Sequence, residues 1–134
     1  MAQEGLKGKK FLYCIFNIQL QINEISEELD YWQQQTEFCG QNLELLRDIH
    51  HRTAELHSLI TTMNERKMSA TKLIDAVSDP VGRAILRRRY ILCNSWSDIA
   101  EACGKMTERN AHYIHDRALM DFEKIYCGCE TVFI

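Results

Sequence analysis

A polar run, Thr107-Glu108-Arg109-Asn110, opens an apolar-periodic segment and offers chemistry suited to nucleic acid. An arginine side chain can donate two hydrogen bonds to one guanine edge, and an asparagine can pair with adenine. A threonine beside the free N–H groups of a helix start suits a phosphate oxygen. From Ala111 onward, Ile114, Ala118, Phe122 and Ile125 recur at the spacing of one helical face. That stripe predicts the opposite face, so Arg109, His112, Tyr113 and Asp116 point away from it. Residues at the start of such a helix are those that reach base edges, which makes Thr107, Glu108, Arg109, Asn110, His112 and Tyr113 the candidate reading surface. Arg117, two turns further on, suits a backbone phosphate. Arg83 and Arg87 stand at i and i+4 upstream and are further phosphate candidates; the alternative for them is a solvated face paired with acids.

Other chemistry finds less support. Asp48, His51 and Glu55 share a helical face that can bind a metal, but no second motif completes a site, and a solvated polar face is the expectation. Cys127 and Cys129 form a C-x-C pair, whereas a structural zinc site needs about four ligands. His112 and His115 lie upstream with nothing to fix them near the pair. No nucleophile elbow, glycine-rich phosphate loop or H-E-x-x-H sequence occurs. The expectation is a protein that is not an enzyme and uses no metal or cofactor.

The elements that position the polar run are two short helices with a turn between them. Ser95 caps the first, and Asp98 completes an [ST]-x-x-[DE] capping box. Ile99, Ala100 and Cys103 make its apolar face. Gly104 ends it, because glycine accepts the left-handed backbone of a C-terminal turn. Thr107 caps the second helix. This is a helix-turn-helix pattern, with small Ala100 where the helices cross. Asp79-Pro80 starts the preceding helix, an N-cap followed by proline where its missing N–H is harmless. Val81, Ala84, Ile85, Tyr90 and Ile91 supply its packing.

Three segments carry a resemblance: Arg89-Tyr90-Ile91, Ser95-Trp96-Ser97-Asp98-Ile99-Ala100 and Ile114-His115-Asp116-Arg117-Ala118-Leu119. The stretch resembles region 4 of bacterial sigma factors, and more closely a family of small phage-encoded sigma-region-4-like proteins. The match spans 79–125 and departs by one extra residue between Gly104 and Ala111. The longer turn is what would rotate Asn110 outward. The resemblance implies a sequence-specific, DNA-binding transcription regulator of phage or prophage type, with double-stranded DNA as its partner.

The remainder is read from pattern. Across 134 residues there are one proline and six glycines, too few for a turn-rich β protein, so the expected class is all-α. Ile15, Ile18, Ile22, Ile25, Leu29 and Trp32 form a heptad seam. Thr36–Asn42 breaks it, with Gly40 as the turn. A second long helix starts near Leu43, its stripe of Leu45, Ile49, Leu56, Leu59 and Met63 interrupted by Arg52. The short connection predicts a coiled-coil-like antiparallel hairpin. The expected organisation is a hairpin over 1–78, a helix-turn-helix domain over 79–126 and an extended tail over 127–134. Residues 1–10 read as a basic, frayed terminus.

Net charge is −3, yet residues 80–117 hold seven bases against four acids, net +3. Local field decides phosphate affinity. No apolar run reaches the roughly 20 residues of a membrane span, and no signal peptide is evident. Six cysteines without secreted spacing fit a reduced, cytoplasmic protein. The seam leaves apolar surface that favours a homodimer. The alternative function is a protein–protein interaction module acting through the hairpin, with RNA polymerase or another phage protein as partner.

Overall fold

The heptad seam folds against its own chain. In the computed structural model, which describes residues 7–132 and side chains through 128, Lys7–Thr36 forms α1 and Leu43–Ile74 forms α2. Gly40 takes φ +58° in the turn, and the Asn42 side chain caps α2 by accepting the Leu45 N–H at 3.0 Å. The helices run antiparallel: Ile18 clusters with Ala70, Gln19 accepts from Lys67, and Glu28 pairs with Arg52. Residue numbers fall on α2 as they rise on α1. Along the α1 seam Ile15, Ile18 and Leu29 are buried and Ile22, Ile25 and Trp32 half-buried, so α2 covers much of it.

Arg52 interrupts the stripe of α2 without leaving a stray charge. It meets Glu28 through two hydrogen bonds of 2.7 and 3.1 Å, and the Trp32 indole donates to the same carboxylate at 2.9 Å. The Arg52 contact, followed by that of Trp32, holds the Glu28 carboxyl below its ordinary range. α2 continues unbroken through 64–69.

Asp79 then caps α3, Pro80–Leu86, accepting the Gly82 N–H at 3.1 Å with Pro80 in the first turn. The chain next widens into a π-helical segment, Arg87–Ile91, where Leu92 N–H reaches back five residues to Arg87 O at 3.1 Å. The sequence predicts ordinary helix here. Cys93 follows with φ +58°. Ser95 caps α4, Trp96–Ala102, accepting the Asp98 N–H at 3.1 Å. In the following turn Gly104 and Lys105 are both left-handed, at φ +102° and +56°. Thr107 Oγ1 accepts the Asn110 N–H at 3.1 Å and starts α5, Glu108–Val132.

One apolar cluster joins the base of the hairpin to the later helices: Leu12, Ile74, Val77, Leu86, Tyr90, Ala118 and Phe122. It crosses the 78/79 division. Two terminal expectations are corrected by it. α1 is helical from Lys7, and buried Gly8 donates its N–H to Glu123 Oε2 at 2.6 Å, so this part of the basic terminus is docked rather than frayed. A side chain at Gly8 would meet the backbone and side chain of α5. Residues 1–6 lie outside the described residues. Likewise α5 runs on through Val132 where an extended tail was expected. Phe11 of α1 packs on Phe122 and Tyr126, at ring separations of 6.3 and 5.0 Å, and carries the helix past Tyr126. Residues 133–134 lie outside the described residues.

Every regular element among the described residues is helical, and the class is all-α. Among those residues no helix is long and apolar enough to cross a membrane.

A second cluster, Ile85, Ile99, Ala100 and Ala111, holds α3, α4 and α5 together. Ala100 is 4% exposed. Ala100→Leu is therefore expected to overpack this contact and destabilise the protein by about 1–3 kcal/mol. Thermal unfolding at the parent temperature would place Ala100 outside the contact.

Candidate nucleic-acid interface

α5 has one locked face and one open face. The locked face is Ala111, His115, Ala118 and Phe122, all buried. The sequence stripe has Ile114 in place of His115; in the structure Ile114 sits half-buried at the edge and His115 turns inward. The imidazole is satisfied on both sides. Tyr90 Oη lies 2.7 Å from Nε2, and Asp116 Oδ1 lies 3.1 Å from Nδ1. With Nδ1–H donating to Asp116 and Tyr90 O–H donating to Nε2, the neutral ring fills every position. Burial pushes the Tyr90 phenol up to about 12. Burial also lowers the His115 pKa, opposed by the Asp116 hydrogen bond and charge and reinforced by His112 and Lys9.

That shift has a sign. The unfolded chain protonates His115 near its ordinary 6.5, while the folded chain resists until lower pH. Its contribution to stability is complete above that value and is lost as pH falls toward the folded pKa. Melting temperature should thus drop between about pH 7.5 and pH 5.5, and His115→Gln should flatten the drop. An identical slope in the variant would assign the acid sensitivity to other groups.

A stacked column braces the same region. The Arg89 guanidinium lies 4.8 Å from the Phe16 ring centre and 5.1 Å from that of Trp96. Its Nη1 donates to Asn94 O at 3.0 Å. Trp96 then stacks on His112 at 3.8 Å and meets His115 edge-on at 4.9 Å. His112, placed on the reading face by sequence, is exposed but already engaged with Trp96. His115, Tyr90, Trp96 and Arg89 are positioning residues; the sequence pattern marks Tyr90 for packing but does not bring the four together. The signal was present for His115, which stands four residues after Ala111 and three before Ala118.

The open face gathers the other α5 candidates. Thr107, Glu108, Arg109, Asn110, Tyr113 and Arg117 are exposed. Arg109 makes no side-chain hydrogen bond or ion pair among the described residues. Asn110 Nδ2 approaches Met106 Sδ at 3.9 Å, and Arg117 lies 5.9 Å from the Tyr113 ring centre. Glu108 and Asp116 share this side, with one Asp116 oxygen turned to His115.

Arg83 and Arg87 are placed differently. Arg83 donates to Val77 O at 3.0 Å, and Arg87 pairs with Asp75 at 3.0 Å, so both close the junction of α2 and α3. No hydrogen bond, ion pair or ring contact among the described residues joins them to the α5 group. His51 pairs with Glu55 at 3.3 Å, and among the described residues no three His, Cys, Asp or Glu side chains converge with metal-binding spacing.

No family model, curated protein or solved structure matches the chain.

Proposed function

We propose that the protein binds double-stranded DNA through the open face of α5 and acts as a sequence-specific transcription regulator of phage or prophage type in the cytoplasm. The observation that carries this reading is Arg109. It is exposed, in the first turn of a helix whose opposite face is locked, beside Asn110 and without a partner among the described residues. A planar donor fork exposed in that way suits a guanine edge. Thr107 and the helix start supply a phosphate contact beside it. The bracing by Trp96 and Tyr90 limits how far the face can tilt, which favours readout over loose attachment.

The net charge of −3 is compatible with this. The acids concentrate at residues 24–55, where eight stand against two bases. They lie on the far part of the hairpin, starting 12 residues of helix beyond Leu12 of the core, or about 18 Å. The Debye length at physiological salt is about 8 Å. RNA polymerase is the protein partner that belongs to the same proposal. Selection of bound duplexes from a random pool tests binding and specificity together. Enrichment of a defined motif is expected, and no enrichment at moderate salt would reject the reading.

A further inference from the structure

The hairpin end farthest from the core carries apolar side chains that the described residues leave uncovered. Phe38 is 77% exposed and Leu43 73% exposed, one on each side of the Gly40 turn. The fold gains little from them, because Leu29, Ile49 and Leu56 already supply the buried apolar contacts nearby. Next to the turn lies a groove of about 200 Å³ lined by Trp32, Leu45 and Ile49, with Asp48 and Arg52 at its margin. Tyr31, itself half-exposed, meets Trp32 edge-on at 4.9 Å.

The charge around this surface is predominantly negative. Residues 24–55 are net −6, eight acids against two bases, while the rest of the chain is net +3. One of the two bases, Arg52, is already held by Glu28. A merely solvated hairpin would gain nothing from exposed Phe and Leu. An apolar centre with aromatic side chains inside a charged rim is the anatomy of a protein interface. The sign of the rim selects the occupant. It repels phosphate backbones and anionic lipid, and tip-to-tip pairing of two copies would set like charge against like.

We propose that the tip of the α1–α2 hairpin is a docking surface for a protein partner that presents a basic amphipathic helix. Its apolar face would cover Phe38 and Leu43, and its lysines or arginines would meet the acidic rim. This stands independently of DNA reading by α5.

The full chain is titrated with a labelled amphipathic peptide that has leucines on one helical face and lysines on the other, and with a twin in which every lysine is glutamate. The lysine peptide is expected to bind, with affinity that falls as salt rises, and the glutamate twin to bind far more weakly. The double variant Phe38→Ser, Leu43→Ser keeps every charge and should lose about 30-fold in affinity, the scale of an interface hot spot. Met120→Ser, which removes an exposed apolar side chain from α5, should leave peptide affinity unchanged. Unfolding of the double variant at the parent temperature shows that the loss is local. Equal binding of both peptides, or parent-like binding by the double variant, would overturn the proposal. So would a parent dimer in sedimentation that the double variant dissolves, since that assigns the tip to a second copy. DNA retardation by the double variant is expected to match the parent, so failure here and failure of the DNA reading are separable.

Discussion

Phe122→Ala is expected to remove about 3–5 kcal/mol of folding stability. Phe122 is fully buried on α5 where the two halves of the chain meet. Its ring stacks at 6.3 Å from Phe11 of α1, and its cluster includes Ile74 of α2, Leu86 of α3 and Tyr90 of the π-helical segment. Truncation would leave a cavity bordered by several elements, which long helices fill poorly by shifting. Against a typical total of about 5–15 kcal/mol, the loss would bring the protein near its unfolding threshold. Urea denaturation measures it as a lower midpoint at unchanged slope. Phe38→Ala is the matched control, since exposed Phe38 should move the midpoint little. Similar midpoints for the two variants would mean that the Phe122 cluster does not join hairpin to α5.

Local chemistry was the legible part of this fold. Gly40, Asp79-Pro80, Ser95, Gly104 and Thr107 each satisfy or redirect backbone groups within a few residues, so their side chains declare turns and caps without knowledge of the rest. The seam of α1 was legible because its period repeats, and the short connection at Gly40 pointed to α2 as its neighbour. A heptad stripe by itself fits a second subunit as well as α2, and the register of Glu28 with Arg52 and Ile18 with Ala70 places the partner in the same chain.

The illegible features all depend on distant residues. The π-helical segment at Arg87–Ile91 has a sequence that suits ordinary helix. Cys127-Gly128 resembles a helix end, yet the rings of Phe11 and Tyr126 lie 5.0 Å apart just before it. Gly8 resembles a flexible terminus, and its use is the close approach of α5. The candidate site divides in the same way. The outward set at Arg109, Asn110, Tyr113 and Arg117 follows from the opposite apolar stripe, whereas the partners of Arg83 and Arg87 at Val77 and Asp75 depend on how α2 meets α3.

Arg109→Ala separates base reading from simple attachment. Arg109 stands in the first turn of α5, where a helix entering the major groove presents side chains to base edges. With no partner for Arg109 among the described residues, substitution should leave the fold intact, so lost binding would report lost contact. A bidentate arginine–guanine contact predicts a loss of about 1–3 kcal/mol on the best site and relaxed preference at one base pair. Arg117, two turns along with its guanidinium near the Tyr113 ring, is the contrasting case. As a phosphate contact, Arg117→Ala should weaken all duplexes alike and lower the salt slope by about one unit. Binding titrations on the selected duplex, on its single-base variants and across a salt series resolve the two patterns. The paired outcome matters more than either value, because a face that only attracts phosphate would give both variants the Arg117 pattern. If Arg109→Ala leaves affinity and base preference unchanged, the open face of α5 does not read DNA, and the hairpin tip becomes the main candidate for the protein's working surface.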